Sequence, residues 1–184
     1  KLYQHRISEA FADILINSPE QNSLSIRPHF SGLIFHNVNM PFEQPNLTRR
    51  IYARSTNPAA KGLDKFEQEL MSIDSSAKEF HRRPIAETTF FREIRSAGIF
   101  FDQLGYPAGS SINCCALGRV SLAGNSLPGT WSSFDWPFPR LSVGNMLDVS
   151  QRLLSMHPTE FEDLCYLGYR YSQKFTVSCL GERL

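Results

Sequence analysis

The chain has 184 residues, of which 41% are hydrophobic and 12% aromatic, and its formal net charge is +1. That much apolar material excludes a disordered tail and supports one sizeable core. The near-neutral balance leaves whole-molecule attraction to nucleic acid or an anionic membrane weak, so such binding would need a local patch.

No apolar run approaches the length of about eighteen residues that a membrane span needs, and the N-terminus lacks the basic start and apolar centre of a signal peptide. The chain begins at Lys1 rather than methionine. The expectation is a processed product or, preferably, a domain cut from a longer protein. Four cysteines, Cys114, Cys115, Cys165 and Cys179, are too few for a disulfide scaffold and include no C-x-x-C pair, so a reducing compartment is the default. The predicted location is intracellular, cytoplasmic or nucleoid/nuclear. The triplet Asn46-Leu47-Thr48 would matter only in a secreted protein.

In chain order, Ile7, Phe11, Ile14 and Leu15 share a helical face behind Ser8, predicting a first helix. After a polar break from Asn17, Leu24 to Arg27 and Leu33 to His36 alternate as strands around Gly32. The prolines of Met40 to Asn46 end that hairpin. Arg49 to Arg54 predicts another strand, with Ile51 and Ala53 inward and Arg50, Tyr52 and Arg54 outward. Asn57-Pro58 joins an N-cap to a proline at the first helical position, and Leu63, Phe66, Leu70 and Ile73 follow at helical spacing.

A second proline start at Arg83-Pro84 precedes a predicted helix with Phe90, Ile94, Ala97 and Phe101 along one side and Thr88, Arg92 and Arg95 along the other. Gly105 to Gly129 is rich in glycine and serine, broken by the apolar piece Cys114 to Val120. Trp131 to Pro139 reads as an aromatic, proline-locked loop packed on the core. Ser142 caps a helix carrying Val143, Met146, Leu147 and Leu154, and His157-Pro158 starts another with Phe161, Leu164, Cys165 and Gly168 on one face. Phe175 to Cys179 alternates as a final strand. Helices and strands fall in separate groups, which predicts an α+β fold: an antiparallel or mixed small sheet with about five helices, in a single domain spanning residues 1–184.

Arginine carries the leading functional clue. It outnumbers lysine fourteen to five, and seven of the fourteen lie between Arg49 and Arg95, where ten basic residues meet seven acidic ones. Guanidinium groups suit phosphates because they present a planar fork of permanently charged donors. On a strand, Arg50 and Arg54 flanking Tyr52 would combine phosphate contacts with base stacking, and Arg82, Arg83, Arg92 and Arg95 would extend the basic face. The bland alternative pairs these arginines with Asp64, Glu67, Glu69, Glu87 and Glu93 on a solvated surface.

The reading preferred on these grounds is a noncatalytic domain of a larger protein, binding DNA, RNA or another phosphate-rich partner. Next comes a thiol-dependent hydrolase or transferase using Cys114 or Cys115, if they sat in the first turn of a helix with His29, His36, His81 or His157 as base. Third is a protein-interaction module using Trp131, Phe134, Trp136 and Phe138. No glycine pattern fits a P-loop or dinucleotide fingerprint, Glu160 and Glu162 point to different sides of a helix, and no metal or cofactor is predicted.

Overall fold

The computed structural model describes residues 16–17, 30–31, 41–45, 49–124 and 136–175. Two short strands, β1 (Ile16–Asn17) and β2 (Phe30–Ser31), pair in parallel. The main sheet holds β3 (Arg50–Arg54), β4 (Lys78–His81), β5 (Gly98–Gln103), β6 (Val120–Gly124) and β7 (Arg140–Leu141). Their spatial order is β4-β3-β5-β6-β7, and every pairing is parallel. Around them run α1 (Pro58–Lys61), α2 (Leu63–Glu69), α3 (Glu87–Ala97), α4 (Gly109–Ala116), α5 (Met146–Ser155) and α6 (Pro158–Ser172).

The sheet is parallel because its central strands are buried on both faces, which only crossover helices on both sides can achieve. Ile51 and Ala53 of β3, Ile99 and Phe101 of β5, and Val120 and Leu122 of β6 enter one core with Leu63 and Phe66 of α2, Met146 and Leu153 of α5, and Phe161 and Cys165 of α6. Tyr52 and Phe100 point the other way, into a second core with Phe90, Ile94 and Ala97 of α3 and Cys114 of α4. The Phe66 ring stacks on Phe101 at a centroid distance of 4.0 Å.

The antiparallel or mixed α+β sheet is therefore corrected to a five-stranded parallel sheet in a β-α-β alternation. Two misreadings hid it. Phe101 keeps helical spacing with Phe90, Ile94 and Ala97, yet Gly98, at φ 83°, ends α3 and starts β5 in one residue; a left-handed glycine is a common helix stop. The edge strand β4, Lys-Glu-Phe-His, is half-buried throughout and shows no apolar alternation.

Local signals hold where they are strong. Asn57 caps α1, its Oδ1 accepting from Ala60 N at 3.4 Å, with Pro58 in the first turn. The stripe Leu63, Phe66, Leu70 and Ile73 is buried throughout, although the α-helix ends at Glu69 and a 3₁₀ turn continues it over Leu70–Ser72. The helix after His157-Pro158 buries Phe161, Cys165 and Gly168. Before α5, Val143 is exposed, and Leu153 rather than Leu154 is fully buried. The predicted first helix and its hairpin, residues 131–135 of the aromatic loop and the final strand lie outside the described residues, except that Ile16 belongs to β1 and Phe175 ends a 3₁₀ turn.

Candidate functional site at the carboxyl edge of the sheet

In an open parallel sheet, ligands collect outside the carboxyl ends of the strands, at the point where successive connections run in opposite directions. Here that point lies between β3 and β5: the chain leaves β3 for β4 on one side, then returns to β5 on the other. The loops leading into α1, α4 and α5 all begin at this edge.

A buried polar network forms its floor. The pairing of β5 with β6 slips between Phe101 and Gln103, so that Asp102 has no register partner; such irregularities re-aim a side chain. The Asp102 carboxylate is fully buried and binds Lys61 Nζ at 3.2 Å through Oδ1. Its Oδ2 accepts from Ala108 N at 3.0 Å and Ser111 Oγ at 2.7 Å, and Ser121 Oγ donates to Ser111 Oγ at 3.0 Å. One carboxylate thus fastens the end of α1, the end of β5 and the first turn of α4. A buried charge is tolerated only when paired and hydrogen-bonded in this way.

Leu104 is wedged above the network. A Cβ on Gly62 would lie 2.5 Å from Leu104 Cδ1, and one on Gly124 would lie 2.0 Å from the Leu104 carbonyl oxygen. Beside it opens a cleft of about 450 Å³, lined by Ala59, Ala60, Gly62, Leu104, Leu141, Ser142 and Val143 together with Lys65 and Arg140. Neither cation is ion-paired among the described residues, and no carboxylate lines the cleft. Arg140 stacks over Trp136 at 5.5 Å and donates to the Gly124 carbonyl at 3.4 Å. Burial pulls its guanidinium below the ordinary value, but arginine stays charged. The nearby start of α5 is already engaged: Glu69 accepts from Gly144 N at 2.9 Å and Met146 N at 3.2 Å. The cleft can thus receive an anion, with Lys65 and Arg140 as its positive walls. Among the described residues, no group of three His, Cys, Asp or Glu side chains converges as a metal site would.

The arginines singled out from the sequence do not line this cleft, and most are paired. Arg50 binds Glu79, Glu93 at 3.0 Å and Ser96 at 2.8 Å. Arg54 donates to the Arg83 carbonyl at 3.3 Å and covers the Phe90 ring at 5.6 Å. Arg82 binds Asp64 at 2.9 Å and also Glu67. Arg92 pairs with Glu93 at 3.3 Å and Arg95 with Glu43 at 3.2 Å, while the side chain of Arg83 is exposed. Tyr52 is not on a solvent face: it is fully buried against Phe90 and Phe100, and burial pushes its hydroxyl up to about 12.

Cys114 and Cys115 lie in the last turn of α4 rather than the first, fully buried. Burial pushes both thiols well above their ordinary value, the reverse of what a nucleophile needs. Lys61, Lys65, Asp102 and Arg140 were not singled out from the sequence. Their meaning depends on strand ends, and β5, β6 and β7 do not read as strands in the sequence.

No protein-family model and no curated protein matches the sequence. Among solved structures, the fold resembles TarM, with a TM-score of 0.60 and 12% identity over 98% of this chain and 44% of that one. It also resembles an α,α-trehalose-phosphate synthase (UDP-forming) from Burkholderia vietnamiensis, with a TM-score of 0.51 and 12% identity over 71% of this chain and 43% of the synthase. The chain spans less than half the length of either. The acid-paired arginines and the buried Tyr52 overturn the noncatalytic nucleic-acid-binding reading, which rested on their facing a partner. Identity this low speaks to fold alone, and the fold is Rossmann-like, resembling glycosyltransferase GT-B domains.

Proposed function

We propose that the chain is a sugar-transferring domain that holds the diphosphate of a nucleotide-sugar donor at the carboxyl edge of its sheet. The observation that carries this reading is the cleft walled by Lys65 and Arg140, two cations with no acidic partner among the described residues. As the bond from the sugar to the donor's terminal phosphate breaks, negative charge accumulates on the departing diphosphate. Positioned cations then stabilise that charge more than they stabilise the intact donor. The trehalose-phosphate synthase neighbour is described as UDP-forming, so a uridine diphosphate sugar is the first donor to test.

Several further features fit the same reading. A domain of a longer protein is supported by a chain that spans less than half of its structural neighbours, with the acceptor held by residues beyond this chain or by a protein partner. Among the described residues no helix is long and apolar enough to cross a membrane. An intracellular location is supported by three free, buried cysteines.

The test is calorimetric titration of UDP-glucose, UDP and uridine into the parent and a Lys65→Ala/Arg140→Ala variant. UDP and UDP-glucose should bind, uridine should bind far more weakly, and the double variant should lose about 3–6 kcal/mol, since each hydrogen bond to a charged group contributes about 1.5–3 kcal/mol. Undiminished binding by the variant, or no nucleotide binding at millimolar concentration, overturns the proposal.

A further inference from the structure

Helix α6 buries Phe161, Cys165 and Gly168 and turns its opposite face to solvent. Along that face Glu160, Asp163, Leu167, Arg170 and Lys174 recur at intervals of three and four residues, with Tyr166 beside Leu167. All six are exposed, and Lys174 belongs to the 3₁₀ turn Gln173–Phe175 that continues the helix. Such spacing draws a single stripe. It is acidic in its first half, apolar in its middle and basic in its second half.

None of the four charged side chains forms an ion pair among the described residues. Acids near the start and bases near the end suit the dipole of the helix itself. That does not account for the apolar pair between them. Tyr166 is 47% exposed and Leu167 52%, and among the described residues only Met71 and Val143 are also large apolar side chains left exposed. Tyr166 is held in place by the Phe42 ring, edge-on at 5.2 Å. Beside the basic half runs a groove of about 550 Å³, closed on its far side by Trp136 and Pro137, with no carboxylate in its lining. Trp136 packs edge-on against Tyr171 of α6 at 5.4 Å, which fixes the groove wall.

We propose that this stripe is a self-association surface, on which a second copy of the chain docks its own α6 antiparallel. A two-fold axis passing between Tyr166 and Leu167 makes the stripe complementary to itself, as an isologous contact requires. It sets Asp163 opposite Arg170 of the second copy, Leu167 against Tyr166 of the second copy, and Glu160 close to the level of Lys174 of the second copy. The groove beside each basic half then receives the carboxylates of the other acidic half, and the exposed apolar pair is covered at the centre. A parallel arrangement would bring acid against acid and base against base, so the charges fix the orientation. The contact runs along about 21 Å of helix and falls short of the roughly 800 Å² per partner of a standard interface. Self-association with a Kd of about 10–100 µM is therefore expected.

Sedimentation velocity of the full chain from about 5 to 500 µM tests the assignment on the parent, Asp163→Arg, Arg170→Asp, Leu167→Ala and an equimolar mixture of the two charge variants. The parent should pass from monomer to dimer across that range. Each charge variant sets like charges opposite one another on both sides of the axis and should weaken self-association by about tenfold or more. Leu167→Ala, which changes no charge, should weaken it too. Mixing Asp163→Arg with Arg170→Asp should restore parental affinity, because every charge at these positions then meets its opposite. All the altered positions are exposed, and unchanged melting temperatures will verify folding. A parent that stays monomeric at the highest concentration, undiminished association of either charge variant, or no recovery on mixing overturns the proposal. So does a monomeric parent that binds phosphatidylglycerol vesicles through Arg170 and Lys174, which would assign the face to a lipid surface. No step involves a nucleotide, so the result is independent of the donor-binding reading.

Discussion

Tyr52→Phe removes a single oxygen from the middle of the second core, and its expected effect is stabilising. The ring is fully buried, 6.3 Å from Phe90 and 6.3 Å from Phe100 by centroid, and the hydroxyl has no hydrogen-bond partner among the described residues. Burying an unpaired polar group costs about 1–3 kcal/mol, whereas the phenylalanine ring keeps the packing and removes that cost. A gain of about 1 kcal/mol is expected at pH 7. For a chain of this size that raises the melting temperature by about 2–4 °C.

The same burial gives the test a pH signature. In the folded protein the hydroxyl is pushed from 10.0 up to about 12. Both states are protonated below about pH 10. Between about pH 10 and 12 the unfolded chain releases a proton that the folded chain retains, so stability falls with rising pH across that window. Tyr52→Phe should remove this part of the alkaline slope. Urea unfolding of parent and variant at pH 7, 9, 10 and 11 measures both effects. A variant less stable than the parent at pH 7, or one with the same alkaline slope, would refute the unpaired, buried hydroxyl.

Gly124→Ala would ordinarily strengthen a strand, because alanine loses less backbone entropy than glycine. Here the added Cβ would meet the Leu104 carbonyl at 2.0 Å, so the variant should lose about 1–3 kcal/mol and weaken UDP-glucose binding; an unchanged melting temperature contradicts the wedge. Cys114, Cys115 and Cys165, all buried with thiols pushed upward, should alkylate at neutral pH far more slowly in the native protein than in urea. Peptide mapping by mass spectrometry resolves the three, and rapid native labelling of Cys114 or Cys115 would reopen a thiol chemistry.

Legibility differed sharply between the arginines and the site. The strand carrying Arg50, Tyr52 and Arg54 is readable, and so is its alternation, but alternation by itself implies one buried face and one wet face. Both faces of β3 are covered, so Tyr52 is as deeply buried as Ile51. The charge-rich segment looked like a surface for a partner, yet its acids lie within reach of its bases: Glu79 and Glu93 meet at Arg50, Asp64 and Glu67 at Arg82. The cations of the carboxyl-edge cleft, Lys65 and Arg140, have no acidic partner among the described residues and stand 75 positions apart.

What the sequence determined by itself is what the backbone decides within a few residues: the Asn57-Pro58 start, the Leu63-Phe66-Leu70 stripe and the His157-Pro158 start. These depend on capping hydrogen bonds, a fixed proline φ and the 3.6-residue period, none of which needs a distant partner. Tertiary structure alone decided that the strands run parallel and that Lys61, Asp102, Ser111 and Ser121 join in one buried network. Those outcomes follow from covering both faces of the sheet at once. A buried strand then reads as a continuous apolar run, and the partners of its polar groups are chosen by strand order rather than by spacing along the chain.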